Sequence, residues 1–133
     1  MNKLIISLLA AIVLLGGLFV LLKPSPDLTG KTVFEEENVK VIEVDSANLR
    51  FYMDGVENPD IRVKEGDKVK INFKSSEGYH DWMVDEFNAS TERVNPGESA
   101  SVEFVANKKG VFEYYCSVGR HRENGMKGNF IVE

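Results

Sequence analysis

Cysteine and histidine are scarce in this chain of 133 residues, which contains one Cys and two His. A single cysteine cannot form a disulfide within the chain, and it rules out a zinc site built on two or more thiolates. Two histidines are too few for a three-histidine catalytic zinc site or for the clusters of a multicopper oxidase. Because the scarcity excludes most metalloenzymes, we expect that this protein is not an enzyme.

Blocks of basic residues are missing as well. The chain has 16 Lys and Arg against 21 Asp and Glu, which gives a net charge of −5. Nucleic-acid-binding proteins carry basic patches, so we expect no nucleic-acid partner. Hydrophobic residues make up 43% of the chain, with only 4 Pro, and this composition argues against disorder. The length is that of about one folded domain.

One long uncharged segment, residues 4–22, lies near the N-terminus. As a helix it would span about 28 Å, close to the hydrocarbon thickness of a bilayer at about 30 Å. A cleaved secretory signal has a shorter apolar region and a small-residue cleavage site, and neither is present here. We therefore expect residues 1–23 to form an uncleaved transmembrane anchor, with a signal sequence as the alternative.

The segment after the anchor begins with two prolines, Pro24 and Pro26, which end any helix. We expect residues 24–37 to form a stalk or linker and residues 38–133 to form the folded domain. This organisation predicts a single-pass protein of the cytoplasmic membrane whose C-terminal domain lies on the periplasmic or extracellular side. Leaving Lys3 and Lys23 out of the 16 basic residues gives the remainder a net charge of −7.

The rest of the chain has the pattern of short strands. Val69, Ile71 and Phe73 alternate with polar residues, as in a strand with one buried face. Further strands are predicted over residues 39–44, 49–53, 101–104, 111–115 and 128–132, with turn residues between them. No segment after residue 22 shows a helical stripe. Short strands separated by turns predict an all-β sandwich.

The scarce residues converge near the C-terminus. Cys116, His121 and Met126 follow a predicted strand within one glycine-containing segment. Tyr114 and Cys116 share a face of that strand, so we expect the thiol to point into the apolar interior. His80 follows the alternating strand and its turn. The four residues are therefore expected to meet at one end of the sandwich.

Two imidazoles, a thiolate and a weak thioether form the trigonal type 1 copper site of electron-transfer proteins. The soft sulfur ligands favour Cu(I), whereas imidazoles suit both Cu(I) and Cu(II). We expect one copper ion with His80, Cys116 and His121 as equatorial ligands and Met126 as the axial ligand. Met83 is a rival thioether, although its place on a strand three residues after His80 is more typical of a core residue.

These motifs resemble those of the cupredoxin family, over roughly residues 39–133. The spacing Cys-x4-His-x4-Met, from Cys116 to Met126, is similar to that of membrane-associated blue copper proteins of the auracyanin, rusticyanin and sulfocyanin type. The segment Gly-Tyr-His-Asp-Trp at residues 78–82 is similar to the family's first-ligand strand. The resemblance implies a Greek-key β-sandwich, one type 1 copper ion and one-electron shuttling.

Two features depart from the family pattern. Asp81 stands where Asn often ties the two ligand loops together, and we expect its carboxylate to accept hydrogen bonds from the Ser117 hydroxyl or a nearby backbone N–H. Arg120 and Arg122 flank His121, whose ring edge commonly passes the electron in blue copper proteins. Their charges predict docking onto an acidic surface of a redox partner.

Together these features predict a membrane-tethered monomer that carries one electron between redox partners outside the cytoplasmic membrane. A copper-binding carrier that delivers metal instead of electrons would use the same four ligands. A metal-free β-sandwich for adhesion or assembly is a third hypothesis, and it predicts that Cys116→Ser changes neither metal content nor function.

Overall fold

The computed structural model describes residues 38–133. The predictions of a transmembrane anchor over residues 1–23 and a stalk over residues 24–37 concern the N-terminal part of the chain, outside the described residues, and stay predictions. Within the described part, no helix has the length and apolar character needed to cross a membrane.

Short strands make up most of the described chain and are joined by turns and one 3-10 turn, Asp85–Phe87. All six segments predicted as strands coincide with strands, and short strands that were not predicted lie between them. In chain order the strands are β1 (Val39–Ala47), β2 (Arg50–Met53), β3 (Val56–Glu57), β4 (Ile61–Val63), β5 (Lys68–Ser75), β6 (Met83–Val84), β7 (Ala89–Ser90), β8 (Ser99–Val105), β9 (Gly110–Tyr115) and β10 (Lys127–Val132).

The first sheet has the strand order β3-β2-β1-β5-β8. Strand β1 pairs in parallel with β5 and antiparallel with β2, and β5 pairs antiparallel with β8. The predicted alternation holds in β5, where Val69, Ile71 and Phe73 are buried and the residues between them are partly exposed. One face of this sheet therefore covers the core.

The second sheet has the order β4-β10-β9-β6-β7 and carries the end of the strand that leads into Cys116. Strands β9 and β10 pair antiparallel along their whole length, from Lys127 opposite Tyr115 to Val132 opposite Gly110. Strand β6 joins β9 through Met83 opposite Tyr115. This pairing brings the segment just after His80 alongside the residue just before Cys116.

Aromatic side chains fill the space between the two sheets. Trp82, Tyr114, Phe51, Phe73 and Phe130 are all essentially inaccessible to solvent. The Trp82 and Tyr114 rings are stacked with centroids 5.9 Å apart, and Phe51 meets Tyr114 edge to face at 5.4 Å. Each such ring buries about 150–250 Å², and full burial of a side chain of this kind stabilises the fold by roughly 1.5–3 kcal/mol. The predicted all-β sandwich is confirmed.

Candidate metal centre

His80, Cys116 and His121 meet at one end of the sandwich, beyond the last residue of β9. Their potential ligand atoms all lie within 4.8 Å of one another. The Nδ1 atoms of the two imidazoles are 3.1 Å apart, and Cys116 Sγ lies 3.7 Å from His80 Nδ1 and 3.4 Å from His121 Nδ1. The structure therefore brings the whole His and Cys content of the chain into one cluster.

His80 is held by a short bridge and a tight turn. Its backbone N–H donates to Val94 O at 3.2 Å, and Val94 N–H donates back to His80 O at 2.9 Å. The turn before it contains Gly78 with φ +85, a conformation that favours glycine. The Ser75 hydroxyl fixes this turn by donating to Gly78 O at 2.7 Å. His80 is only 2% exposed, so its ring is confined on several sides.

The loop from Cys116 to Met126 is closed by its own backbone. Cys116 N–H donates to Met126 O at 3.2 Å, and Met126 N–H donates to His121 O at 3.0 Å. Cys116 and Met126 are fully buried, whereas His121 is half-buried. These bonds connect the cysteine, the second histidine and the methionine directly through main-chain atoms.

Burial shifts the pKa values of Cys116 and His80 in opposite directions. Desolvation raises the pKa of the Cys116 thiol to about 11 and lowers the pKa of His80, which the neighbouring His121 lowers further. A neutral imidazole is the form that binds a metal, whereas the thiol must release its proton on binding. Two nitrogen donors and one sulfur donor in a buried pocket, with a methionine in the same backbone network, fit a type 1 copper ion.

Asp81 ties the two ligand-bearing segments together, as the resemblance to the family implies. The Ser117 backbone N–H donates to Asp81 Oδ1 at 2.6 Å, and the Ser117 hydroxyl donates to Asp81 Oδ2. Arg93 completes the group, since Nε lies 3.4 Å from Asp81 Oδ2 and Nη2 donates to Ser117 Oγ at 3.0 Å. Arg93 was not predicted, because it approaches from a different segment of the chain.

The two arginines beside His121 are both paired with glutamates. Arg120 Nε lies 2.6 Å from Glu123, and Arg122 Nε lies 2.6 Å from Glu113. The Arg122 guanidinium also stacks over the Tyr115 ring, 3.8 Å from its centroid. These pairs offset part of the positive charge near His121, and docking onto an acidic partner stays a prediction.

Arg50 and Asn58 also contact the loop from Cys116 to Met126, here called the ligand loop, and neither contact was predicted from the sequence. Arg50 donates to Asn124 O at 3.0 Å, and Asn58 donates to Gly125 O at 3.1 Å. Their acceptors are backbone carbonyls that lie 74 and 67 residues away in the chain, respectively. Contacts of this kind leave no residue-type pattern, so only the folded structure reveals them.

A protein-family model described as a cupredoxin-like domain matches residues 11–132 of the chain. This match covers most of the 133 residues. It includes all four predicted copper ligands.

Solved structures of similar fold include an auracyanin and a rusticyanin. Auracyanin A, a "blue" copper protein from Chloroflexus aurantiacus, superposes with a TM-score of 0.61 at 20% identity, covering 72% of this chain and 100% of that one. Rusticyanin from Thiobacillus ferrooxidans gives a TM-score of 0.61 at 18% identity, covering 71% and 77% of the two chains. At these identities the likeness shows the shared fold.

A curated relative of much greater length is the nitrous-oxide reductase of Cupriavidus necator. The two sequences are 35% identical over 79 residues, which is 56% of this chain. The matched segment spans only 12% of the reductase. The likeness therefore concerns one segment of that enzyme.

Proposed function

The chain belongs to the cupredoxin-like family, and on that premise we propose that it is a type 1 copper protein that carries one electron at a time. The observation that supports this function is the convergence of His80, Cys116 and His121 within 4.8 Å in a buried pocket. The chain has no other Cys or His. The resemblance to a "blue" copper protein of the same fold supports the same function.

In this proposal His80, Cys116 and His121 are the equatorial ligands and Met126 is the axial ligand. The bound ion supplies one-electron exchange between Cu(II) and Cu(I). The chain supplies two neutral imidazoles, a thiolate formed by loss of the Cys116 proton, and a sheltered pocket. Only His121 among these residues is partly exposed, so its ring edge is our proposed point of electron entry and exit.

Rigidity of the ligand loop suits this task. Cys116, His121 and Met126 are linked by main-chain hydrogen bonds, and the Asp81–Ser117 contact fastens the loop to the segment of His80. Ligands that are held by packing and surrounding hydrogen bonds keep nearly one geometry. Little of the chain then needs to rearrange when the charge of the site changes.

We propose a carrier and not an enzyme. Among the described residues one group of three or more His, Cys or acidic side chains is placed to hold a metal ion, and it is the cluster at Cys116. An oxidase or reductase that works with several copper ions needs a further set of ligands. Nothing of that kind accompanies this cluster in residues 38–133.

We further propose that residues 1–23 tether the protein to the cytoplasmic membrane as a single span and that residues 38–133 work outside it as a monomer. The uncharged segment at residues 4–22 supports the tether. Redox proteins with an acidic docking surface are the proposed partners, because Arg120 and Arg122 flank His121. Cell fractionation tests the tether: the full chain should sediment with membranes, and a chain lacking residues 4–22 should not.

The copper function is tested with the full chain, purified in detergent and loaded with copper. We expect one copper ion per chain, intense visible absorption from thiolate-to-Cu(II) charge transfer, and loss of this band in Cys116→Ser. Met126→Leu should alter the EPR spectrum of Cu(II), whereas Met83→Leu, the matched change at the rival thioether, should leave it unchanged. A fully loaded wild-type chain without the visible band would contradict the proposal.

Electron transfer and copper delivery differ in what leaves the protein. A carrier of electrons should show fast electron self-exchange and retain copper in the presence of a chelator. Rapid loss of copper to the chelator, with slow self-exchange, would instead support a metal-delivery function.

A further inference from the structure

The ligand loop accepts hydrogen bonds from Arg50 and Asn58, which belong to the β2–β3 hairpin of the first sheet and the residue that follows it. Arg50 Nη1 donates to Asn124 O at 3.0 Å and to Leu49 O at 2.8 Å. Asn58 Nδ2 donates to Gly125 O at 3.1 Å. The two acceptor carbonyls belong to the two residues that directly precede Met126.

The two donors are themselves fixed by the hairpin. Arg50 Nε forms an ion pair with Glu57 at 3.0 Å. Asn58 Oδ1 accepts a bond from Phe51 N–H at 2.9 Å, and Asn58 N–H donates to Phe51 O at 2.7 Å. Phe51 is fully buried in the core. The hairpin therefore presents the guanidinium and the amide from a rigid base.

At Gly125 the ligand loop lies directly against the Arg50 guanidinium. A Cβ atom at this position would stand 3.3 Å from Arg50 Nη1, and the residue has φ +94. The next residue, Met126, already uses its N–H for His121 O and its carbonyl for Cys116 N–H. Main-chain groups of residues 124–126 therefore form hydrogen bonds both to other residues of the ligand loop and to the hairpin.

We propose that Arg50 and Asn58 are positioning residues for the metal centre. By fixing the carbonyls of residues 124 and 125 they set where Met126 stands relative to Cys116 and His121. The inference rests on the proposed copper function, in which Met126 is the axial ligand. Groups that orient metal ligands in this way typically contribute about 10-fold to 100-fold to metal affinity.

The decisive variant is Arg50→Lys, which keeps the positive charge. It loses the planar guanidinium, whose several N–H groups contact Asn124 O, Leu49 O and Glu57 at the same time. Arg62→Lys is the matched control, because Arg62 also makes ion pairs, with Asp60 and Glu133, at the far end of the sandwich. Arg50→Met removes the charge as well and should act more strongly than Arg50→Lys. A purely electrostatic role of Arg50 would leave Arg50→Lys equal to wild type.

Two readouts are taken on the full chain. In the metal-free protein, amide hydrogen exchange at Gly125 and Met126 should become about tenfold faster in Arg50→Lys, as expected when a hydrogen bond from a charged donor is lost. In the copper-loaded protein, Cu(I) affinity should fall by about 10-fold or more. The midpoint potential should also fall, because the soft thioether favours Cu(I).

Asn58→Gly provides a second test, since glycine tolerates the φ of +44 at this position while the amide donor is removed. It should speed amide exchange and weaken Cu(I) binding in the same manner as the Arg50 variants. Exchange rates, affinities and potentials of Arg50→Lys that match those of Arg62→Lys would overturn the positioning role and leave the copper function standing. Absence of the visible band in the wild-type chain would overturn the copper function and, with it, this inference.

Discussion

Substitution of Gly78 by alanine should disrupt the metal centre without contacting the metal. A Cβ atom at this position would lie 2.4 Å from His80 Nε2, whereas ordinary contacts begin at 3.4 Å. The imidazole must therefore move by about 1 Å. Since metal–ligand distances are kept within about 0.2 Å, this displacement is about five times what a ligand tolerates. His80 is 2% exposed, so the ring cannot simply swing into solvent.

Gly97→Ala is the matched control for this prediction. Gly97 has φ +86, close to the +85 of Gly78, but nothing lies within 4 Å of the place where its Cβ would stand. Backbone strain should lower the unfolding free energy of both variants by about 1–2 kcal/mol, measured by denaturant titration. Gly78→Ala should lose more than Gly97→Ala, because only its new Cβ clashes with a side chain. Copper stoichiometry and the visible and EPR spectra should change in Gly78→Ala and remain as in wild type in Gly97→Ala.

The comparison can fail in a clear way. If Gly78→Ala binds copper with wild-type spectra while losing the same stability as Gly97→Ala, the steric argument about His80 is refuted.

Two further predictions concern the core and the loop contact. Gly128→Ala should lower the unfolding free energy by about 1–3 kcal/mol. The new Cβ would clash with the buried Tyr114 hydroxyl, which donates to Pro59 O at 2.8 Å. A denaturation midpoint equal to that of the wild type would contradict this prediction. Asp81→Asn should raise the midpoint potential of the copper, because it removes a negative charge that favours Cu(II) beside the ligand loop. Voltammetry of the copper-loaded protein measures this change. An unchanged or lower potential would contradict an electrostatic role for the Asp81 carboxylate.

The longer strands could be predicted from alternation, whereas the short ones could not. Strand β5 alternates over eight residues, and its buried set contains the predicted Val69, Ile71 and Phe73 together with Ser75, which was not predicted. Strands β3, β6 and β7 have two residues each, too few for any periodicity to show. The parallel pairing of β1 with β5 was also not predicted, because it depends on which faces pack together and not on the pattern within one strand.

At the metal centre, the types of residue present were enough to predict the metal-binding side chains, whereas several of their supporting contacts are visible only in the folded structure. Cys116 and the two histidines could be identified because the chain offers no other Cys or His. The Asp81–Ser117 contact was also predicted, from the resemblance to the family, in which the residue after the first histidine ties the two ligand loops together. Arg93 and Arg50 were missed because common residues whose partners are distant carry no signal in a single sequence.

The backbone closure between Cys116 and Met126 makes the metal centre depend on the second sheet. His80 lies 36 residues before Cys116, so no local part of the chain holds this imidazole near the thiol. Pairing of β9 with β6 and β10 brings the two segments together, and Cys116 N–H closes the loop onto Met126 O. Unfolding of the second sheet would therefore separate the donor atoms, so metal binding and the stability of that sheet are thermodynamically linked.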